Sequence, residues 1–179
     1  MKFSKADKLD IFENAISWIV VFAMYIYGGA KAMQFSGVAA IDKTVAEMTG
    51  MELMWVFYGY SYGFVLTLGA MEIIGGTLIL FKKTRLLGCL FISAILVNVI
   101  LQDIFYGVHV GALKAAILYQ ICILIILWLH KDKVIMSIQS LLISTKWNGD
   151  WRFLLVKLLI AFLLFVVLRV GEYWVTIGL

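Results

Sequence analysis

Proline is absent from this 179-residue chain, so no helix in it need carry a proline kink. Charge is scarce. Asp, Glu, Lys and Arg make up 15% of the residues against 64% hydrophobic, and the mean hydropathy is +1.01. A soluble domain could not cover a core that large with so little polar surface. Cysteine is also sparse: Cys89 and Cys122 lie in different apolar segments and form no Cys-x-x-Cys pair. The local dithiol of a disulfide-exchanging membrane enzyme is therefore missing, and each thiol reads as a small buried hydrophobe. The two histidines, His109 and His130, have no Glu-x-x-His or His-x-x-x-His partner. No metal site is expected. Serine-nucleophile motifs, phosphate-cradling loops and dinucleotide fingerprints are likewise missing. No basic patch interleaved with aromatics points to nucleic acid.

What the chain does have is long apolar runs. These are too continuous for barrel strands, which would alternate over about ten residues. The fold class expected is all-α, an integral membrane helical bundle surrounded by a lipid bilayer. Lys2, Lys5 and Lys8 followed by an apolar run and Gly28-Gly29-Ala30 mimic a signal peptide. The run is read instead as a retained first helix over residues 14–35. Residues 37–49 carry Val38, Ile41, Val45 and Met48 at helical spacing, the pattern of a short amphipathic surface helix. A continuous second helix is expected over 55–81, opening on an aromatic belt, with Gly59 and Gly63 as a small-residue packing contact. Third and fourth helices follow over 86–108 and 112–129. Residues 134–145 are again amphipathic, 146–152 form a turn anchored by two tryptophans, and a fifth apolar helix covers 153–175.

The expected domain organisation is a four-helix bundle over 1–133, an interfacial segment over 134–152 and an additional transmembrane helix over 153–179. Lysines and arginines gather in the N-terminus, the 82–85 loop and the segment before the fifth helix. The positive-inside rule then puts the N-terminus in the cytoplasm and the C-terminus outside, in a bacterial-type inner membrane.

Ionisable residues inside the apolar runs are the candidate functional groups. Lys31, Asp103, Lys114 and Arg169 each fall ~25 Å from the cytoplasmic edge at the helical rise, forming one charged layer. The alternative is that they are snorkelling side chains at helix ends. Arg169 and Glu172, three apart, can satisfy each other locally. Asn98, Gln102 and Tyr106 repeat every four residues, a polar stripe expected to face the bundle. Interhelical glue is the other reading of that stripe, at ~0.6 kcal/mol per contact. Glu72 lies near the midplane, ~10 Å in depth from Lys31. That is too far for a direct ion pair unless tilt or lysine length closes it, so Glu72 is expected to be protonated or bonded to Asn98 or a hydroxyl.

Tyr25-Ile26-Tyr27-Gly28-Gly29-Ala30-Lys31, then Glu72-Ile73-Ile74-Gly75-Gly76-Thr77-Leu78-Ile79-Leu80 with Thr84-Arg85 close behind, resemble the first- and second-helix signatures of the DoxX family. The resemblance covers residues 15–130. It implies a DoxX-like four-helix core, with Lys31, Glu72 and Gly76 as signature positions, and the fifth helix departs from it. Some members are linked to thiosulfate:quinone oxidoreductase or redox-stress complexes, so the resemblance implies a redox-linked membrane setting.

Two functions are expected from these features. In one, the protein is a membrane subunit that binds a small polar, anionic or quinone-like molecule in the outer half of the bundle. The chain itself supplies no cofactor, so electrons would come from a protein partner in a membrane complex. In the other, it is a non-catalytic accessory or assembly factor for another membrane or envelope protein. No self-contained catalytic motif decides whether it is an enzyme.

Overall fold

Short polar residues write the helix starts in this chain. Ser4 accepts a hydrogen bond from the Asp7 backbone N–H while the Asp7 carboxylate accepts from Ser4, so a capping box opens α1 (Lys5–Gln34). Thr49 and Glu52 repeat that device at the start of α2 (Gly50–Tyr60). Ser61 caps α3 (Tyr62–Leu80) by accepting from Phe64 N–H. There follow α4 (Arg85–Tyr106), α5 (Val110–Leu129), α6 (Lys131–Leu141) and α7 (Trp151–Ile177). The computed structural model describes residues 3–36, 38, 41–142 and 150–177, and among them there are seven α-helices and no strand. Five helices, α1, α3, α4, α5 and α7, are long and apolar enough to cross a membrane.

The chain divides into two units, Met1–Gln139 and Ser140–Leu179. In the first, α1 packs on α3 and α5, and α4 packs on α3 and α5, which closes a ring of four helices. Val20, Met24, Ile79, Cys89, Ile92, Ile123 and Ile126 fill its centre. Both cysteines are buried, as small hydrophobes would be. In the second unit, α7 is a single 27-residue helix, ~40 Å long at the helical rise and so longer than the ~30 Å bilayer core.

Three elements differ from expectation. The second helix is not continuous. Ser61 takes an extended backbone, φ −126° and ψ 102°, ending α2 and starting α3. A serine hydroxyl can replace the lost helical bond, so no proline is needed to mark the break. Gly59 and Gly63 lie on opposite sides of it and do not form one packing stripe: a Cβ on Gly59 would strike Val38, whereas one on Gly63 would meet nothing within 4 Å.

The amphipathic helix over 37–49 is also not formed. Residues 41–44 take no regular structure, and a 3-10 turn covers Val45–Glu47. Thr44 and Thr49 each act as an N-cap with extended backbone, each backed by a glutamate three residues on. Two starts so close together prevent one helix from running through both. Residues 37, 39 and 40 lie outside the described residues. Finally, α1 begins at Lys5 rather than at residue 14, so its charged N-terminal turns belong to the same helix as Lys31. The second amphipathic stretch forms α6, while residues 143–149, including the Trp147 turn, lie outside the described residues.

Candidate ligand cavity

The site begins at a glycine crossing. A Cβ on Gly28 of α1 would lie 2.7 Å from the Gly69 backbone oxygen of α3, and one on Gly69 would lie 2.5 Å from the Gly28 oxygen. Only glycine lets two helix backbones approach this closely. One turn beyond the crossing, Lys31 Nζ reaches Glu72 Oε1 at 3.3 Å. Glu72 is buried, only 5% exposed, and the Lys31 side chain is mostly buried. Lys31 also donates to Gln34 Oε1 at 3.5 Å and lies 6.0 Å from the Phe35 ring centroid.

Asp103 enters from α4. The helix ends on Gly107, whose φ of 59° is left-handed and whose N–H bonds the Asp103 carbonyl. Asp103 is 7% exposed. Opposite that end, His109 caps α5, its Nδ1 accepting from the N–H groups of Gly111 and Ala112 at 3.1 and 3.3 Å. The break at Ser61 turns α2 against α3 and α4 and brings an aromatic wall with it. Phe35 packs edge-on against Trp55 and stacks on Tyr58, each at 5.1 Å, and Tyr58 stacks on Phe64 at 6.0 Å.

Phe35, Trp55, Tyr58, Phe64 and His109 line a half-open cavity of about 650 Å³, within the usual range for small-molecule sites. Lys31, Glu72, Asn98, Gln102 and Asp103 line it, with Tyr27 and Tyr119 from α1 and α5. Tyr58 donates to Gln102 Oε1 at 2.7 Å, and Gln102 in turn donates to Asn98 Oδ1. Two buried oxygens on its wall, Glu72 Oε2 and Asp103 Oδ2, have no hydrogen-bond partner among the described residues.

A second polar cluster occupies the other end of the ring. Arg85, 2% exposed, donates to Glu13 Oε1 at 2.7 Å, Asn14 Oδ1 at 2.9 Å and the Ile79 carbonyl at 3.1 Å. His130 Nε2 lies 3.0 Å from Glu13 Oε2. This cluster joins α1, α3, α4 and the end of α5, and each guanidinium nitrogen of Arg85 has a partner.

Comparison with models of known protein families gives no match. Comparison with solved structures gives none either. The chain is 31% identical over 116 residues to the uncharacterized protein YwoB of Bacillus subtilis (strain 168), an alignment covering 64% of this chain and 73% of that protein. The chain belongs to the YwoB family.

In this YwoB-family member the cavity gathers five of the eight side chains singled out by sequence: Lys31, Glu72, Asn98, Gln102 and Asp103. The other three are elsewhere. Tyr106, 43% exposed at the end of α4, does not line it, nor does exposed Lys114 on α5. Of the polar stripe on α4, Asn98 and Gln102 thus line the cavity and Tyr106 does not. Arg169, on α7, pairs with Glu172 three residues on.

Glu72 corrects an expectation. It pairs with Lys31 rather than with Asn98 or a hydroxyl. Depth along the helices takes no account of the close glycine crossing, across which the Lys31 side chain reaches Glu72. Arg85 corrects another: counted as a water-facing loop charge, it is instead the most deeply buried cation among the described residues. Trp55 and Tyr58 belong to the aromatic belt that opens the expected second helix, so their signal is local. Phe35, on the far side of the 37–49 stretch, has no such signal and is brought in by the fold.

Proposed function

We propose that this protein is a DoxX-like membrane subunit that binds a small molecule with an apolar body and a polar head. The two unpartnered carboxylate oxygens, Glu72 Oε2 and Asp103 Oδ2, carry the reading. Buried polar atoms are satisfied in most folded proteins, and leaving one unmet costs ~1–3 kcal/mol. The residues that carry these two oxygens line one cavity together with Lys31 and an aromatic wall, whereas the two other unpartnered buried oxygens among the described residues, Ser17 Oγ and Gln120 Oε1, belong to residues outside it. The apolar body would lie on Trp55, Tyr58 and Phe64, and the head would meet Lys31, Glu72 and Asp103.

The DoxX resemblance would put this subunit in a redox-linked complex of a bacterial-type inner membrane, with its N-terminus in the cytoplasm. A quinone-like ring is the occupant such a setting implies, and a partner protein would carry the electrons. The second reading, a non-catalytic accessory factor, draws on α7, a spanning-length helix in a unit of its own.

Purification in the native lipid, followed by mass spectrometry of bound small molecules and proteins, separates the two. A small molecule lost from Lys31→Ala and Glu72→Gln supports the ligand subunit. A protein partner retained by both variants, with no small molecule in the wild type, supports the accessory factor.

A further inference from the structure

We infer that this cavity is loaded sideways from the bilayer, through a window between α3 and α4, by a membrane-dissolved molecule whose apolar tail stays among the lipid chains. The inference deepens the reading that the cavity takes a small molecule, and rests on it.

Helical spacing places Phe64, Leu68, Met71 and Gly75 on one stripe of α3, and Phe91, Ile95, Asn98 and Gln102 on one stripe of α4. At the base the two helices touch. A Cβ on Gly75 would strike Ile92 and Phe91, and one on Gly88 would lie 2.6 Å from the Ile79 backbone nitrogen. Above that base, Phe64, Leu68 and Met71 of α3 and Ile95, Asn98 and Gln102 of α4 line the cavity. Phe64 and Asn98 are exposed there, as is Ala94, which also lines it.

The other seams of the ring are tied at the level of the cavity. Gly28 and Gly69 bring α1 onto α3, the Gln120 amide of α5 donates to the Ser93 hydroxyl of α4 at 2.7 Å, and Tyr27 of α1 meets Tyr119 of α5 at 6.2 Å. At the top of the window α2 bridges the two helices, since Tyr58 both donates to Gln102 and stacks on Phe64.

Depth decides what can enter. Ala94 and Asn98 lie ~14 and ~20 Å along α4 from Arg85, well inside a hydrocarbon core ~30 Å thick. A window at that depth opens onto acyl chains rather than water. Asn98 sits on its rim, and a side-chain amide exposed to hydrocarbon is costly unless a polar group meets it. Its carbonyl accepts from Gln102, which leaves its N–H groups for the polar head of an entering molecule.

The probe is 2-methyl-1,4-naphthoquinone carrying a dodecyl tail with a diazirine at its midpoint, dissolved in the lipid of nanodiscs that hold the full chain. After irradiation, peptide mapping locates the adducts, and an excess of the same quinone without the diazirine marks those that reflect binding. The competed adducts should fall along the window, at Phe64, Leu68, Met71, Ala94 or Asn98. Ala94→Trp, which plugs the window, should reduce them to background. Ala70→Trp, at an exposed position of α3 outside the cavity, should leave them. Competed adducts gathered instead at Gln34 and His109, or at Tyr27 and Tyr119, would place the entrance elsewhere and overturn the window while leaving the binding site. Competed adducts that survive Ala94→Trp would overturn it as well. With no competed adduct anywhere, the binding-site reading itself fails. Should Ala94→Trp not fold, the wild-type map decides.

Discussion

Lys31 Nζ lies 3.3 Å from Glu72 Oε1, one helical turn beyond the point where the backbones of Gly28 and Gly69 meet. The ion pair depends on that crossing. A methyl group on Gly69 would press on the Gly28 backbone oxygen at 2.5 Å, which no side-chain rotation can relieve. Gly69→Ala should therefore destabilise the protein by ~1–3 kcal/mol, the usual cost of overpacking. Gly63→Ala, whose Cβ would meet nothing within 4 Å, should be neutral or stabilising by up to about 1 kcal/mol. Thermal unfolding of both variants in one detergent makes the comparison; equal effects would remove the close crossing.

Removing one member of a buried pair strands the other. Lys31→Met should cost about 3 kcal/mol, because it leaves Glu72 and Asp103 with no cation. Adding Glu72→Gln should recover a substantial part of that loss. Strictly additive losses in the double-mutant cycle would mean that the two residues do not interact.

Arg85 is held by three acceptors in a fork that an ammonium cannot match. Arg85→Lys should lower stability by ~2 kcal/mol or more, from lost charge-assisted bonds alone. An unchanged melting temperature would show that the cluster contributes nothing to the bundle.

Outside the membrane, Glu52 accepts from Lys43 at 2.5 Å and from the Thr49 hydroxyl and backbone N–H. These donors favour its ionised form and bring its pKa from 4.5 down to about 2. The folded value is depressed, so the stabilisation is complete above about pH 4.5 and is lost as pH falls toward 2. Carboxyl NMR should find the Glu52 midpoint near 2, and Lys43→Ala should raise it. A midpoint at the ordinary 4.5 in the wild type would mean that the cap is not formed in solution.

The helices were legible because apolar length and capping residues are local signals. Ser4 with Asp7 and Thr49 with Glu52 can be read directly as capping boxes. The five membrane-length helices needed only composition. Five cavity residues were also legible, since an ionisable or amide group inside an apolar run is conspicuous wherever it points. What the sequence hid was direction and distance. Lys114 and Tyr106 look much like Lys31 and Gln102 until the bundle assigns each a face. The Lys31–Glu72 pair depends on how closely α1 and α3 cross, which two glycines permit but do not announce. The Ser61 break was hidden for a different reason: an apolar run flanked by aromatics continues through it, and a single hydroxyl replaces the missing helical bond.

The cavity between α1, α2, α3, α4 and α5 is proposed to hold a small molecule. Ala112 lines it, whereas Lys114, two residues on, faces outward. Ala112→Phe therefore puts a bulky ring into the cavity while leaving Lys31, Glu72 and Asp103 unsubstituted. The decisive measurement is the amount of non-lipid small molecule released from each protein after purification in native lipid. Release is expected from the wild type and from Lys114→Ala, and its loss from Ala112→Phe. Equal release from Ala112→Phe, or none from the wild type, would contradict it.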